Sequence, residues 1–103
     1  MAKVKIPAPF FEVGPKAYLY GDAALELARV AEEASLETGV AVIFTPQLTD
    51  LYRIAQGTSH LFLCAQHMDS LYPGKGQGSI LPEAVRAAGA RCVMLNHAER
   101  PVT

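Results

Sequence analysis

The feature that most limits the fold of this chain is an alternation. Short runs apolar on both sides of the backbone take turns with segments carrying helical periodicity. "PFFEV" (Pro9–Val13) is a short aromatic strand candidate. "DAALELARVAEEAS" then places Leu27, Val30, Ala31 and Ala34 at the spacing of one helical face, with Asp22 positioned to cap the start and Gly39 to end it. "VAVIF" (Val40–Phe44) is β-branched and does not alternate, as expected of a strand covered on both faces. "TDLYRIAQG" is a short helix opened by Thr49 and closed near Gly57, and "LFLCA" (Leu61–Ala65) is a third apolar strand. After the polar loop "QHMDSLYPGKGQGS" comes "LPEAVRAAG", a helix with Pro82 in its first turn and Gly89 past its end. "RCVML" is the fourth strand.

Strands of this kind separated by helices indicate a parallel sheet. Two architectures remain open, a doubly wound open sheet or part of a (β/α) barrel. In both, chemistry gathers at the carboxyl ends of the strands. Those ends read Gly14-Pro15-Lys16, Thr45-Pro46-Gln47, Gln66-His67-Met68-Asp69 and Asn96-His97-Ala98-Glu99. Polar groups stand at all four, where simple connections would suffice.

Composition narrows the partners. The chain has 103 residues, half of them hydrophobic and 18% charged, so it is globular and amounts to one domain or less. A net charge of −1 gives no electrostatic case for nucleic acid or an anionic membrane. No run approaches a membrane span, and "MAKVKIPAPF" lacks the apolar stretch of a signal peptide, which leads us to expect a cytoplasmic protein. Cys64 and Cys92 lie inside apolar runs and read as reduced core cysteines. His60, His67 and His97 form no zinc-spaced pair with them, so no metal is expected. "GKGQG" lacks the lysine–serine/threonine ending of a phosphate loop and does not directly follow a strand, so it reads as an interaction loop. Alone, Lys16 would be an ordinary solvated loop lysine, His97 a hydrogen-bonded strand-end residue, and Glu99 an acid favoured by a helix dipole.

Together these residues carry a resemblance. "VGPKAY", "TPQLTDL", "CAQHMD", "GQGSILPEAV" and "LNHAER" resemble, in order and spacing, the first half of the triosephosphate isomerase family, its shorter archaeal-type branch in particular. The similarity runs from about Pro9 to Arg100. It implies a (β/α)8 barrel of which residues 1–103 cover the first four β/α units, as the N-terminal half of a single domain. A whole barrel takes about 250 residues, and the family's glutamate base, its lid and the later phosphate-binding loops follow strands beyond the fourth. The activity implied is a cofactor-free aldose–ketose isomerisation of a small phosphorylated sugar through an enediolate, as in glycolysis and gluconeogenesis, with the base supplied from outside this sequence.

By the same resemblance, Lys16 neutralises the substrate phosphate and polarises the enediolate. His97 is the electrophile, and this family is the standard illustration of a neutral histidine in that role. Glu99 pairs with the lysine, while Gly14 and Asn96 stand at substrate-binding positions. Gln66, His67, Gly76 and Gln77 belong to a third loop that reaches a neighbouring subunit, implying a homo-oligomer, dimer or tetramer. Three positions depart from the family: Gly14 replaces an asparagine, Ala98 a serine and Gln77 a threonine. Loss of the asparagine amide removes a donor worth roughly 1–3 kcal/mol if its partner is left unsatisfied. The alternatives are a non-catalytic half barrel or α/β module that assembles with itself or another chain, and an unrelated doubly wound binding domain.

Overall fold

The computed structural model describes residues 5–95. Four strands, β1 (Phe10–Val13), β2 (Ala41–Phe44), β3 (Phe62–Ala65) and β4 (Cys92–Val93), alternate with three helices, α1 (Gly21–Thr38), α2 (Leu48–Gly57) and α3 (Pro82–Ala87). The strands are parallel and stand in the order β1-β2-β3-β4. The register pairs Glu12 with Ile43, Ile43 with Phe62, and Cys64 with Cys92.

Sequential order decides between the two architectures. Right-handed crossovers between successive neighbours put every helix on the same face, whereas a doubly wound sheet must reverse its order to cover both. One core accordingly joins Ala24, Ala28 and Ala31 of α1, Leu51 and Ile54 of α2 and Val85 of α3 to Val42, Phe44, Leu63 and Ala65 of the sheet. Side chains alternate along a strand, so Glu12, Ile43, Phe62, Cys64 and Cys92 belong to the opposite face. There Ile43, Phe62 and Cys92 are only half-buried. This is the layering of part of a (β/α)8 barrel, with helices outside and an inner face left to side chains from the barrel itself. The expectation of strands covered on both faces is therefore met on one side among the described residues. β1 is largely exposed along its length.

The helix α1 sits differently from the expected face. Its buried residues are Ala24, Ala28, Ala31 and Ser35, while Val30 is 58% exposed. The i, i+4, i+7, i+11 line of small residues lets the helix lie close to β2. Ser35 extends that contact by donating its hydroxyl to the Val40 carbonyl at 2.6 Å. Side-chain size won over hydrophobicity in choosing the face.

Both expected helix caps also move. Asp22 lies within the first turn of α1, paired with Arg53, and Tyr20 occupies the cap position without a side-chain bond. The cap is supplied from α2, where the Asp50 carboxylate accepts the Gly21 N–H at 3.0 Å. Thr49 likewise falls inside α2, which starts at Leu48 with Gln47 as its cap residue. At the other end, Gly39 closes α1 in the left-handed conformation (φ 74°), its N–H donating to the Ser35 carbonyl, as the sequence predicts. Glu32 ties the α2–β3 connection down by accepting the N–H groups of Ser59 and His60 at 2.6 and 2.5 Å.

Candidate functional site

Parallel topology sends every strand-to-helix connection to one end of the sheet, and there the polar segments converge. Lys16 follows β1 with φ 52°, the one non-glycine residue of positive φ among the described residues. For an L-residue that conformation costs roughly 1–2 kcal/mol, so neighbours must hold it. The turn Pro15–Tyr18 closes by a Tyr18 N–H to Pro15 carbonyl bond at 3.0 Å. From the end of β3, Gln66 Nε2 donates to the Lys16 carbonyl at 2.8 Å and reaches the Thr45 carbonyl at 3.4 Å. One amide thus joins the ends of β1, β2 and β3. Backbone strain held in this way at a strand end marks functional sites more often than ordinary loops.

Gly14 sits beside this turn with no positive φ, so conformational freedom is not what it provides. Glu12 Oε1 lies 3.0 Å from where a Cβ on residue 14 would stand. The flexible Glu12 carboxylate therefore borders the space that an asparagine side chain would enter.

The connection after β3 begins with a built hinge. Asp69 donates its N–H to the Ile80 carbonyl at 2.8 Å and accepts the Ile80 N–H on Oδ2 at 2.7 Å. His67, 6% exposed, contacts the other carboxylate oxygen through Nε2 at 2.9 Å. The neck of the loop is thereby closed, and residues 72–79 beyond it are exposed, including Gly76 and Gln77. Tyr72 reaches 89% exposure. Of the four residues assigned to an interface by the resemblance, Gln66 and His67 bond within their own chain, while Gly76 and Gln77 face solvent.

Asn96, His97, Ala98 and Glu99 lie outside the described residues. β4 and the residues up to Leu95 lead toward the same end of the sheet as Lys16. At the opposite end, a cavity of about 340 Å3 is lined by Thr58, Leu61, Arg86 and Arg91 among others, at the amino ends of β3 and β4. That is the end a parallel sheet leaves to stability. Among the described residues no group of three or more His, Cys, Asp or Glu side chains could hold a metal ion. Nor is any described helix long and apolar enough to cross a membrane.

Sequence comparison gives this geometry a family. The triosephosphate isomerase family model matches residues 15–103. The chain belongs to the triosephosphate isomerase family. Its archaeal relatives include the triosephosphate isomerase of Methanobacterium bryantii, 45% identical over 82 residues, which are 80% of this chain and 36% of that protein. That of Methanoculleus marisnigri is 39% identical over 98 residues, 93% of this chain and 44% of the relative. That of Sulfolobus acidocaldarius is 38% identical over 96 residues, 91% and 41% respectively. The chain thus spans less than half the length of these curated relatives. The family match starts one residue after Gly14, at the turn that presents Lys16.

Two features of this member of the triosephosphate isomerase family escape a reading of sequence. In sequence Gln66 reads only as part of the third loop, and its amide braces the lysine turn of its own chain. The only sequence signal was its place immediately after an apolar strand. Asp50, within "LTDL", stood beside a threonine that looked the better cap, and its carboxylate acts on a helix 29 positions away.

Proposed function

We propose that these residues form the lysine-bearing half of a triosephosphate isomerase, working in a complete barrel as a cofactor-free aldose–ketose isomerase on a triose phosphate. In this reading the Lys16 ammonium holds the substrate phosphate and steadies negative charge on the enediolate oxygens. His97 donates a hydrogen bond to those same oxygens, Asn96 helps bind substrate, and Glu99 orients the lysine. Proton abstraction falls to a carboxylate outside this sequence. General acid–base catalysis of that kind contributes about 10²–10⁴-fold, and fixed charge at the oxygens supplies much of the remainder.

The observation that carries the reading is the strained Lys16, held left-handed at the carboxyl end of β1 by an amide from β3. A solvated surface lysine needs neither the strain nor the brace. The homo-oligomer belongs to the same proposal, with residues 72–79 meeting a second subunit beyond the Asp69–Ile80 neck.

A chimera tests the reading. Residues 1–103 replace the corresponding segment of the Methanobacterium bryantii relative, and interconversion of triose phosphates is assayed. The expected result is turnover that Lys16→Ala and His97→Ala each reduce by at least about a hundredfold. A folded chimera without turnover, or one indifferent to both substitutions, refutes the proposal.

A further inference from the structure

The cavity at the amino ends of β3 and β4 exists because small residues line it. Ala55 of α2 stands on one side, and Gly89 and Ala90 of the α3–β4 turn on another, over a floor that includes Leu61 and Leu63. Larger apolar side chains at these positions would fill the space. Gly89 is required where it stands, with φ 118° and a Cβ position 2.5 Å from the Ala55 methyl. The end of α3 and the end of α2 are thereby held in direct contact.

Two arginines give the hollow its charge. In a chain of net charge −1, Arg86 and Arg91 both line it, and no carboxylate does. The turn between them is fixed by backbone bonds. The N–H groups of Ala88, Gly89 and Ala90 donate to the carbonyls of Ala84, Arg86 and Val85, each at 3.0 Å, and Arg91 N–H donates to the Leu63 carbonyl at 2.8 Å. Thr58 and Ser59 complete the lining. A helix C-terminus ordinarily disfavours anions through its open carbonyls. Here the Ile54 carbonyl takes both the N–H and the hydroxyl of Thr58, at 3.0 and 2.8 Å. Glu32, the acid that reaches this connection, is engaged by the N–H groups of Ser59 and His60.

We propose that this cavity is a second binding site, for a small phosphate monoester. The guanidinium groups of Arg86 and Arg91 hold the phosphate, whose oxygens match their paired N–H donors. The organic part of the ester lies against Ala55, Leu61 and Ala90. A volume of about 340 Å3 is at the lower end of ligand pockets, which suits a phosphate on a short body. The preformed turn lowers the ordering cost of binding. Barrels keep their chemistry at the other end of the strands, so the ligand is held here without being turned over. The walls come from α2, β3, α3 and the start of β4, consecutive elements on the helical side of the sheet. Closing a barrel on the other face leaves them in place. The inference stands apart from the isomerase reading.

Phenyl phosphate is the probe, titrated calorimetrically into the 103-residue chain in chloride buffer of physiological ionic strength. The expected Kd is about 1 mM or tighter. Arg86→Gln and Arg91→Gln should each weaken binding by about tenfold, and Arg91→Lys should recover only part of the loss. Lys16→Ala and Lys75→Gln should bind as the wild type does, which separates this site from the lysine turn and from bulk charge. Inorganic phosphate should bind at least about tenfold more weakly than the ester, for want of an apolar body. A second measurement needs no variant. Phenylglyoxal modification of Arg86 and Arg91, read by peptide mass, should slow by about tenfold with ligand at ten times its Kd, while Arg29 reacts unchanged. Binding lost in Lys16→Ala and kept in both glutamine variants would overturn the proposal. So would equal protection of all three arginines, equal affinity for inorganic phosphate, or no saturable binding.

Discussion

Gln66 Nε2 lies 2.8 Å from the carbonyl oxygen of Lys16, a residue 50 positions earlier in the chain, and it holds the lysine in the left-handed conformation. Replacing Gln66 with Ala deletes that bond and the longer one to Thr45, with an expected cost of about 1 kcal/mol. Lys16→Gly should act oppositely, relieving about 1 kcal/mol of backbone strain while removing the charge. Urea unfolding followed by circular dichroism measures both. Equal destabilisation by the two substitutions would contradict a strained lysine held by the amide.

Asp50 is the second brace between distant segments. Its carboxylate is 5% exposed and caps α1 through the Gly21 N–H, while Oδ2 is buried with no hydrogen-bond partner among the described residues. Asp50→Ala should cost about 2 kcal/mol, the range for a hydrogen bond to a charged group. Asp22→Ala, on the exposed Arg53 pair, should cost no more than about 0.5 kcal/mol. The same unfolding experiment ranks the two, and a larger loss at Asp22 would restore it as the helix cap.

The ranking shows where sequence stops being informative. Element order, the parallel sheet and the left-handed stop at Gly39 were legible because each depends on local pattern: β-branched runs, helical spacing, a glycine where φ is positive. The caps were not: Asp22 and Thr49 are locally the better candidates, but a long-range carboxylate displaced Asp22, and α2 starts at Leu48, ahead of Thr49. The buried face of α1 was misread at Val30 for a related reason, since close approach to β2 rewards alanine over valine. At the site, Lys16 stood out from the motif that contains it. Its strain and its brace by Gln66 are tertiary facts that no spacing encodes.

The two thiols should titrate apart. Cys92 should alkylate at a pH below that of an ordinary cysteine and Cys64 well above it. Cys64→Ala removes the donor that chiefly lowers Cys92, so Cys92 should then react only at higher pH. Glu12→Gln removes a charge that opposes both thiolates, so both profiles should shift down. Rates of iodoacetamide labelling against pH, read by peptide mass, follow each thiol. Coincident profiles for the two cysteines would contradict their coupling.

A polypeptide of residues 1–103 alone should show little or no isomerase activity. The described acids at the carboxyl ends of β1 and β3 are poor candidates for proton abstraction: Glu12 lies on the sheet face below the turn, and Asp69 holds the Ile80 N–H and His67. Without a base the rate should fall by about 10²–10⁴. A coupled assay of triose phosphate interconversion measures it, and turnover comparable to a whole barrel would place a base within these residues.

The same polypeptide should associate with itself. Among the described residues β1 pairs on one side only, with β2, and β4 only with β3, so both leave backbone donors and acceptors without a sheet partner. Phe10 and Phe11 on β1 are 55% and 64% exposed, and Ile43 and Phe62 are half-buried on the face that no described helix covers. Contiguous apolar surface beyond a few hundred Å2 is uncommon on soluble monomers. Pairing β1 of one copy with β4 of another would extend the sheet and cover Ile43, Phe62 and Cys92 together, as the inner side chains of a barrel are covered. Glu12 lies on that face as well, and bringing two such carboxylates together opposes closure. Glu12→Gln should therefore tighten the association, whereas Phe62→Lys should weaken it. Sedimentation velocity across a concentration series reads the outcome. A wild-type chain that remains monomeric throughout, with its helical signal intact, would show that the inner face is satisfied by some other means.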